Sequence, residues 1–137
     1  MTKPTLPNKP SDLAELALRD MRKAIRSPLY HIDMSVFHIP NDTCAVCAAG
    51  SVMAFTLNGP HNEHRLPGNW PEHTRRKLYA IDHLRTGNMG TAFAMMNRPS
   101  PKGEQFTRVI ADYDVSTPRP FFHDMRRLIK DLRAAGY

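Results

Sequence analysis

From Cys44 to Leu57 the chain runs CAVCAAGSVMAFTL, without a single charged residue. A helix that is apolar on nearly every side has no face to offer to water, so it belongs inside a fold. Its small residues, Ala45, Ala48, Ala49, Gly50, Ser51 and Ala54, let neighbouring backbones approach closely. Asn41, Asp42 and Thr43 supply capping side chains before it, and Asn58-Gly59 supplies a stop after it. The segment 44–57 is therefore read as a buried central helix that the other elements must wrap. A chain of 137 residues can build one such core and not two ordinary ones.

The wrapping elements follow from periodicity. Pro4, Pro7 and Pro10 make residues 1–10 an extended N-terminal arm, leaving 11–137 as a single globular domain. Ser11 is placed to cap a helix from Asp12 to Arg26, with Leu13, Leu16, Ala17, Met21, Ala24 and Ile25 at three- and four-residue spacing. Ser27-Pro28 ends that helix. Ile32, Met34 and Val36 alternate with polar neighbours, which predicts a strand over 30–37. Pro71 opens a helix carrying Leu78, Ile81 and Leu84 and ending near Gly87, and a short helix is expected between Asn88 and Asn97. In 106–113 helical and alternating patterns compete. The alternation of Thr107, Val109, Ala111 and Tyr113 is preferred, as a strand pairing with 30–37 in a two-stranded ribbon. Ser116-Thr117-Pro118 opens a last helix with Phe121, Met125, Leu128, Ile129 and Leu132 on one face. The expected class is mainly α.

Composition excludes more than it identifies. The twelve prolines are scattered rather than repeated, which excludes collagen-like order, and 41% hydrophobic residues exclude a disordered chain. No apolar run approaches membrane-spanning length, and Met1–Pro7 lacks the apolar stretch of a signal peptide. With only two cysteines, a cytoplasmic protein without a disulfide scaffold is expected. The formal charge of +6 and the pI near 9.7 point to an acidic partner of unspecified kind.

Three kinds of chemistry are considered. Cys44-x2-Cys47 followed by His61-x2-His64 offers the ligands zinc prefers. The His spacing is shorter than a finger's, and cysteines in a charge-free stretch are more simply core thiols, so zinc stays the alternative. Thioredoxin-like use of the same pair lacks a βαβ setting. Asp82-His83, with Asn88, Asn97 and His73, evokes a Mg²⁺-dependent nuclease, yet lies between Ile81 and Leu84 on a helix where polar surface residues are ordinary. Tyr30, His31, Asp33 and His38 could line a polar cleft, but no nucleophile accompanies them.

The third is electrostatic. Arg19, Arg22, Lys23 and Arg26 form a stripe on the first helix at i, i+3, i+4 and i+7, and the last helix carries Arg126, Arg127, Lys130 and Arg133. Such stripes neutralise phosphates or face acidic protein surfaces. Asp124–Arg127, Arg127–Asp131, Glu72–Arg75 and Glu72–Arg76 have helical pairing distances, so the first stripe is the less internally compensated one. Trp70 is added as an interface anchor if exposed, its other reading being a staple of its loop to the core.

Five stretches carry a resemblance: Tyr30-His31-Ile32-Asp33-Met34, Cys44-x2-Cys47-Ala48-Ala49-Gly50-x2-Met53-Ala54, Leu78-x2-Ile81-Asp82-x-Leu84-Arg85-x-Gly87, Ala111-Asp112-Tyr113-Asp114 and Asp124-Met125-x2-Leu128-Ile129. Together they resemble small accessory proteins of temperate phages and prophages. The resemblance brings no catalytic motif. It implies the infected bacterial cytoplasm as setting, and as mode the binding and blocking of a host or defence complex, such as a ribonucleoprotein. Anti-CRISPR and other anti-defence inhibitors are the analogous class. The expectation is a non-enzymatic inhibitor acting through Arg19, Arg22, Lys23, Arg26, Arg126, Arg127, Lys130 and Trp70, with no cofactor. The alternative is a zinc- or Mg²⁺-dependent nucleic-acid-binding protein or nuclease built on Cys44, Cys47, His61, His64 and His83.

Overall fold

The computed structural model describes residues 5–32, 38–39, 44–57, 69–103, 105–109 and 119–137. Among them are five helices and three short strands: α1 (Pro10–Arg26), β1 (Tyr30–Ile32), β2 (His38–Ile39), β3 (Cys44–Val46), α2 (Ala48–Phe55), α3 (Glu72–Thr86), α4 (Met89–Met95) and α5 (Arg119–Ala134). The mainly helical class expected from periodicity is what the chain adopts.

Within the charge-free segment Ala48–Ala54 are buried as expected, but 44–57 is not one helix. Its first residues form β3, which pairs in parallel with β1 (Tyr30 opposite Cys44) and antiparallel with β2 (His38 opposite Val46), giving the order β1-β3-β2. Helix α2 begins only at Ala48, because the cap is Cys47: its backbone is extended and its Sγ accepts a hydrogen bond from the Gly50 amide at 3.3 Å. A continuous apolar run does not distinguish a buried strand from a buried helix. The ribbon of 30–37 with 106–113 is thereby corrected. The partner of β1 is β3, and 105–109 form no strand, while 110–113 lie outside the described residues, as do 33–37 and the expected cap 41–43. Instead Val109 donates its amide to the Arg85 carbonyl, and Thr107 donates both its amide and its hydroxyl to Asp131 Oδ2, at 2.8 and 2.6 Å.

Helix α1 packs against α2, α3 and α5 alike. It buries Leu13, Ala14, Ala17, Leu18, Met21 and Ala24, while Leu16 is half-buried and Ile25 exposed. The alanines of α1 and α2 permit a close crossing, with Ala24 meeting Ala54 in a small cluster beside Tyr30 and Phe55. Pro10 takes the first helical turn, so Ser11 is not the cap. It lies buried inside the helix, its hydroxyl donating to the Tyr137 carbonyl at 3.2 Å. Leu6, ahead of α1, is buried in the main core, where the Lys77 ammonium holds its carbonyl at 2.9 Å.

Helix α3 stops at Gly87, which adopts a left-handed φ of 85°. The Asn88 amide returns to the His83 carbonyl at 2.9 Å, the reverse turn that a C-terminal glycine permits. A Cβ at Gly87 would lie 2.6 Å from Arg108 Cγ. The predicted apolar face of α5, Phe121, Met125, Leu128, Ile129 and Leu132, is buried in full.

Candidate functional site

The two basic stripes, read separately in the sequence, meet in space. Helices α1 and α5 run antiparallel: Arg133 reaches Asp12 and Glu15 near the start of α1, while the Arg22 guanidinium sits 5.4 Å above the Phe122 ring near the start of α5. Between them lies an open groove of roughly 970 Å³, with Arg19, Arg22, Lys23 and Arg26 on one wall and Arg126, Lys130 and Arg133 on the other. Leu16, Leu18, Ile129 and Pro7 provide its apolar lining, and Asp12 and Glu15 are its acidic residues. Seven cations against two carboxylates make the groove strongly basic.

The charge is graded along the axis. At one end Arg133 bridges α5 to Asp12 at 3.5 Å and to Glu15, so two carboxylates meet one guanidinium and the positive charge there is more than cancelled. Toward the other end lie Arg22 and Arg26 of α1, while on α5 Lys130 stands one turn and Arg126 two turns from Arg133. Arg26 and Arg126 make no ion pair or side-chain hydrogen bond among the described residues. Lys23 and Arg26 fall in the last turn of α1, where the helix dipole favours cations.

Sequence spacing overlooked Asp20. This aspartate is fully buried on the inward side of α1, with Arg19 Nε and Lys23 Nζ 3.6 and 3.8 Å from its Oδ1. Its Oδ2 accepts from the Thr56 hydroxyl at 2.5 Å, while Oδ1 has no hydrogen-bond donor. Burial pushes the carboxyl above the ordinary aspartate range, against the opposing pull of Thr56, Arg19 and Lys23. The first stripe is thus more compensated than expected, and the members without a carboxylate partner among the described residues are Arg22, which lies over Phe122, and Arg26. The expected α5 pairs differ as well. Among the described residues Asp124 and Asp131 form no ion pair with Arg127, and Asp131 is taken by Thr107.

Two expected site residues lie elsewhere. Trp70 is only 5% exposed and belongs to the core, its carbonyl accepting from Arg75 Nε at 3.2 Å, so it is the loop staple and not a surface anchor. Arg127 is exposed on α5 but is not among the lining residues. The groove gains Leu16, Ile129 and Arg133, for which the signal was the apolar residue beside each cationic row. Ile25, 39% exposed near the end of α1, and Leu29, 65% exposed beyond it, are not among the lining residues.

Of the metal-ligand candidates, Cys47 is used as the α2 cap, and burial pushes its thiol up. The Cys44 side chain, His61, His64, Asp33 and the His38 side chain lie outside what is described. Asp82 is held by Arg85 at 2.6 Å, and His83 Nδ1 meets the Asn88 amide nitrogen at 3.4 Å at the end of α3. Neither converges on a further His, Cys, Asp or Glu to make a metal-holding group among the described residues. No helix among the described residues is long and apolar enough to cross a membrane. No family model, curated protein or solved structure matches the chain.

Proposed function

We propose that this protein is a non-catalytic binding protein that captures an acidic macromolecular surface in the groove between α1 and α5. We further propose that it acts as a phage-type accessory inhibitor of a host or defence complex in the bacterial cytoplasm. The observation that carries the binding reading is the convergence of two rows of cations on one groove, Arg19, Arg22, Lys23 and Arg26 from α1 with Arg126, Lys130 and Arg133 from α5. Surface cations without partners are common, but two rows flanking a single apolar-lined concavity constitute a complementary surface for an anion-bearing partner. Blocking a complex sterically requires only about 800 Å² of complementary surface on each partner and no active site. Arginines dominate such interfaces energetically because their planar groups pair with carboxylates and stack on neighbours, as Arg22 already does on Phe122.

Affinity purification from a lysogenic bacterial lysate tests this reading, run with and without nuclease and repeated with the Arg22→Glu/Arg26→Glu variant. The wild-type protein is expected to retain a nuclease-resistant partner that the variant loses, with an unchanged circular dichroism spectrum. Equal capture by both proteins excludes the groove as the binding surface. Loss of all capture on nuclease treatment replaces the protein partner with nucleic acid.

A further inference from the structure

We propose that the groove receives an acidic amphipathic helix from a partner protein; this rests on the binding reading above and specifies the partner's chemistry. Three observations select that occupant. First, the floor is aliphatic, Leu16 and Ile129 lying between cationic walls. A helix with one apolar stripe and carboxylates on both flanks would place the stripe on those residues and one row of carboxylates at each wall. Second, the dimensions fit. Arg19 to Arg26 and Arg126 to Arg133 each span two helical turns, about 10 Å, and Asp12 to Arg26 spans about 21 Å, the length of a helix of roughly 14 residues. Third, no aromatic side chain is among the described residues that line the groove, whereas grooves for unpaired bases typically interleave cations with aromatic faces.

The charge gradient also orients the occupant. Asp12 and Glu15 outnumber Arg133 and leave one end net negative, so the partner's carboxylates concentrate toward Arg22, Arg26 and Arg126.

Fluorescence anisotropy with three labelled probes tests the proposal. One is a Glu/Leu peptide of about 14 residues with leucines at i, i+3, i+4, i+7 and i+11. The second is its isomer with the same residues in an order that destroys the stripe, and the third is an oligothymidylate of similar charge. The amphipathic peptide is expected to bind about tenfold more tightly than its isomer, a difference of about 1.4 kcal/mol. Arg22→Glu/Arg126→Glu should weaken it more than tenfold, and Leu16→Gln, a half-buried position that leaves the helix face intact, about threefold. Equal binding of the two isomers, or tighter binding of oligothymidylate, overturns the helix inference. If those probes still lose affinity on charge reversal, the basic-groove reading stands. If no probe responds to charge reversal, both readings fail.

Discussion

Helix α3 and the α1/α5 pair use basic residues in opposite ways. On α3 the long cations are committed to the fold. Arg76 donates to the Met95 and Ala94 carbonyls at 3.1 and 2.6 Å, satisfying the end of α4. Lys77 clamps Leu6 and Asn8, Arg75 holds the Trp70 carbonyl, and Arg85 folds back on Asp82. On α1 and α5, Arg26 and Arg126 face a groove without such partners. Net charge alone would weigh all of these equally. What separates a structural cation from a binding one is whether a carbonyl or carboxylate of the same chain already occupies its donors.

Charge reversal should break this contrast most visibly. Arg22→Glu/Arg26→Glu/Arg126→Glu is expected to lower affinity for the amphipathic acidic peptide by about a hundredfold, roughly 2.7 kcal/mol, while the melting temperature barely moves. Anisotropy and a thermal melt on the same sample measure both, and a large melting shift would contradict the division of labour. The converse experiment is Arg76→Ala. Taking the guanidinium from the Met95 carbonyl, and the second donor from an Ala94 carbonyl that still accepts the Asn97 amide, is expected to cost about 1–2 kcal/mol of stability in a urea titration, with peptide affinity unchanged. Gly87→Ala should cost about 1–3 kcal/mol, because it combines left-handed strain with the encounter with Arg108, and it too should spare binding.

Two aspartates sharpen the comparison at the level of pH. Asp131, held low by the Thr107 hydroxyl and amide, contributes stability that is present above the unfolded aspartate value and lost as pH falls through its depressed folded one. Asp20 has the opposite sign. Its folded value is raised, so the folded state holds the proton more tightly, and stability falls as pH rises through that raised value. Asp20→Asn keeps an acceptor for Thr56 and is expected to flatten this part of the pH–stability profile. At neutral pH its effect should be small, within about 1 kcal/mol, because it removes a poorly solvated charge while Arg19 and Lys23 remain in water. A neutral-pH loss of several kcal/mol in denaturant titrations would show that Asp20 acts as an essential ion-pair centre instead.

The sequence made some of this legible because the relevant signals are local. The α5 face was readable because Phe121, Met125, Leu128, Ile129 and Leu132 repeat at helical spacing, and Gly87 marked the end of α3. Both cationic rows were visible for the same reason. What spacing along one helix does not contain is which helix lies opposite, so the antiparallel meeting of α1 and α5, and with it the groove, came only with the fold. The start of α2 is not legible in the sequence because a sulfur serves as its cap, a role that Ser, Thr, Asp and Asn fill far more often. Asp20 was missed because a lone acid within a basic stripe looks like surface, whereas α2 supplies Thr56 to receive it on the inward face.

The most direct measurement is a ¹H–¹⁵N NMR titration of the isotopically labelled protein with the amphipathic acidic peptide. The amide resonances of residues 19–26 and 126–133 are expected to shift together, saturating at one peptide per chain, while those of α3 stay in place. Shifts concentrated on α3, or spread evenly over all basic residues, would contradict the assignment of binding to the groove between α1 and α5.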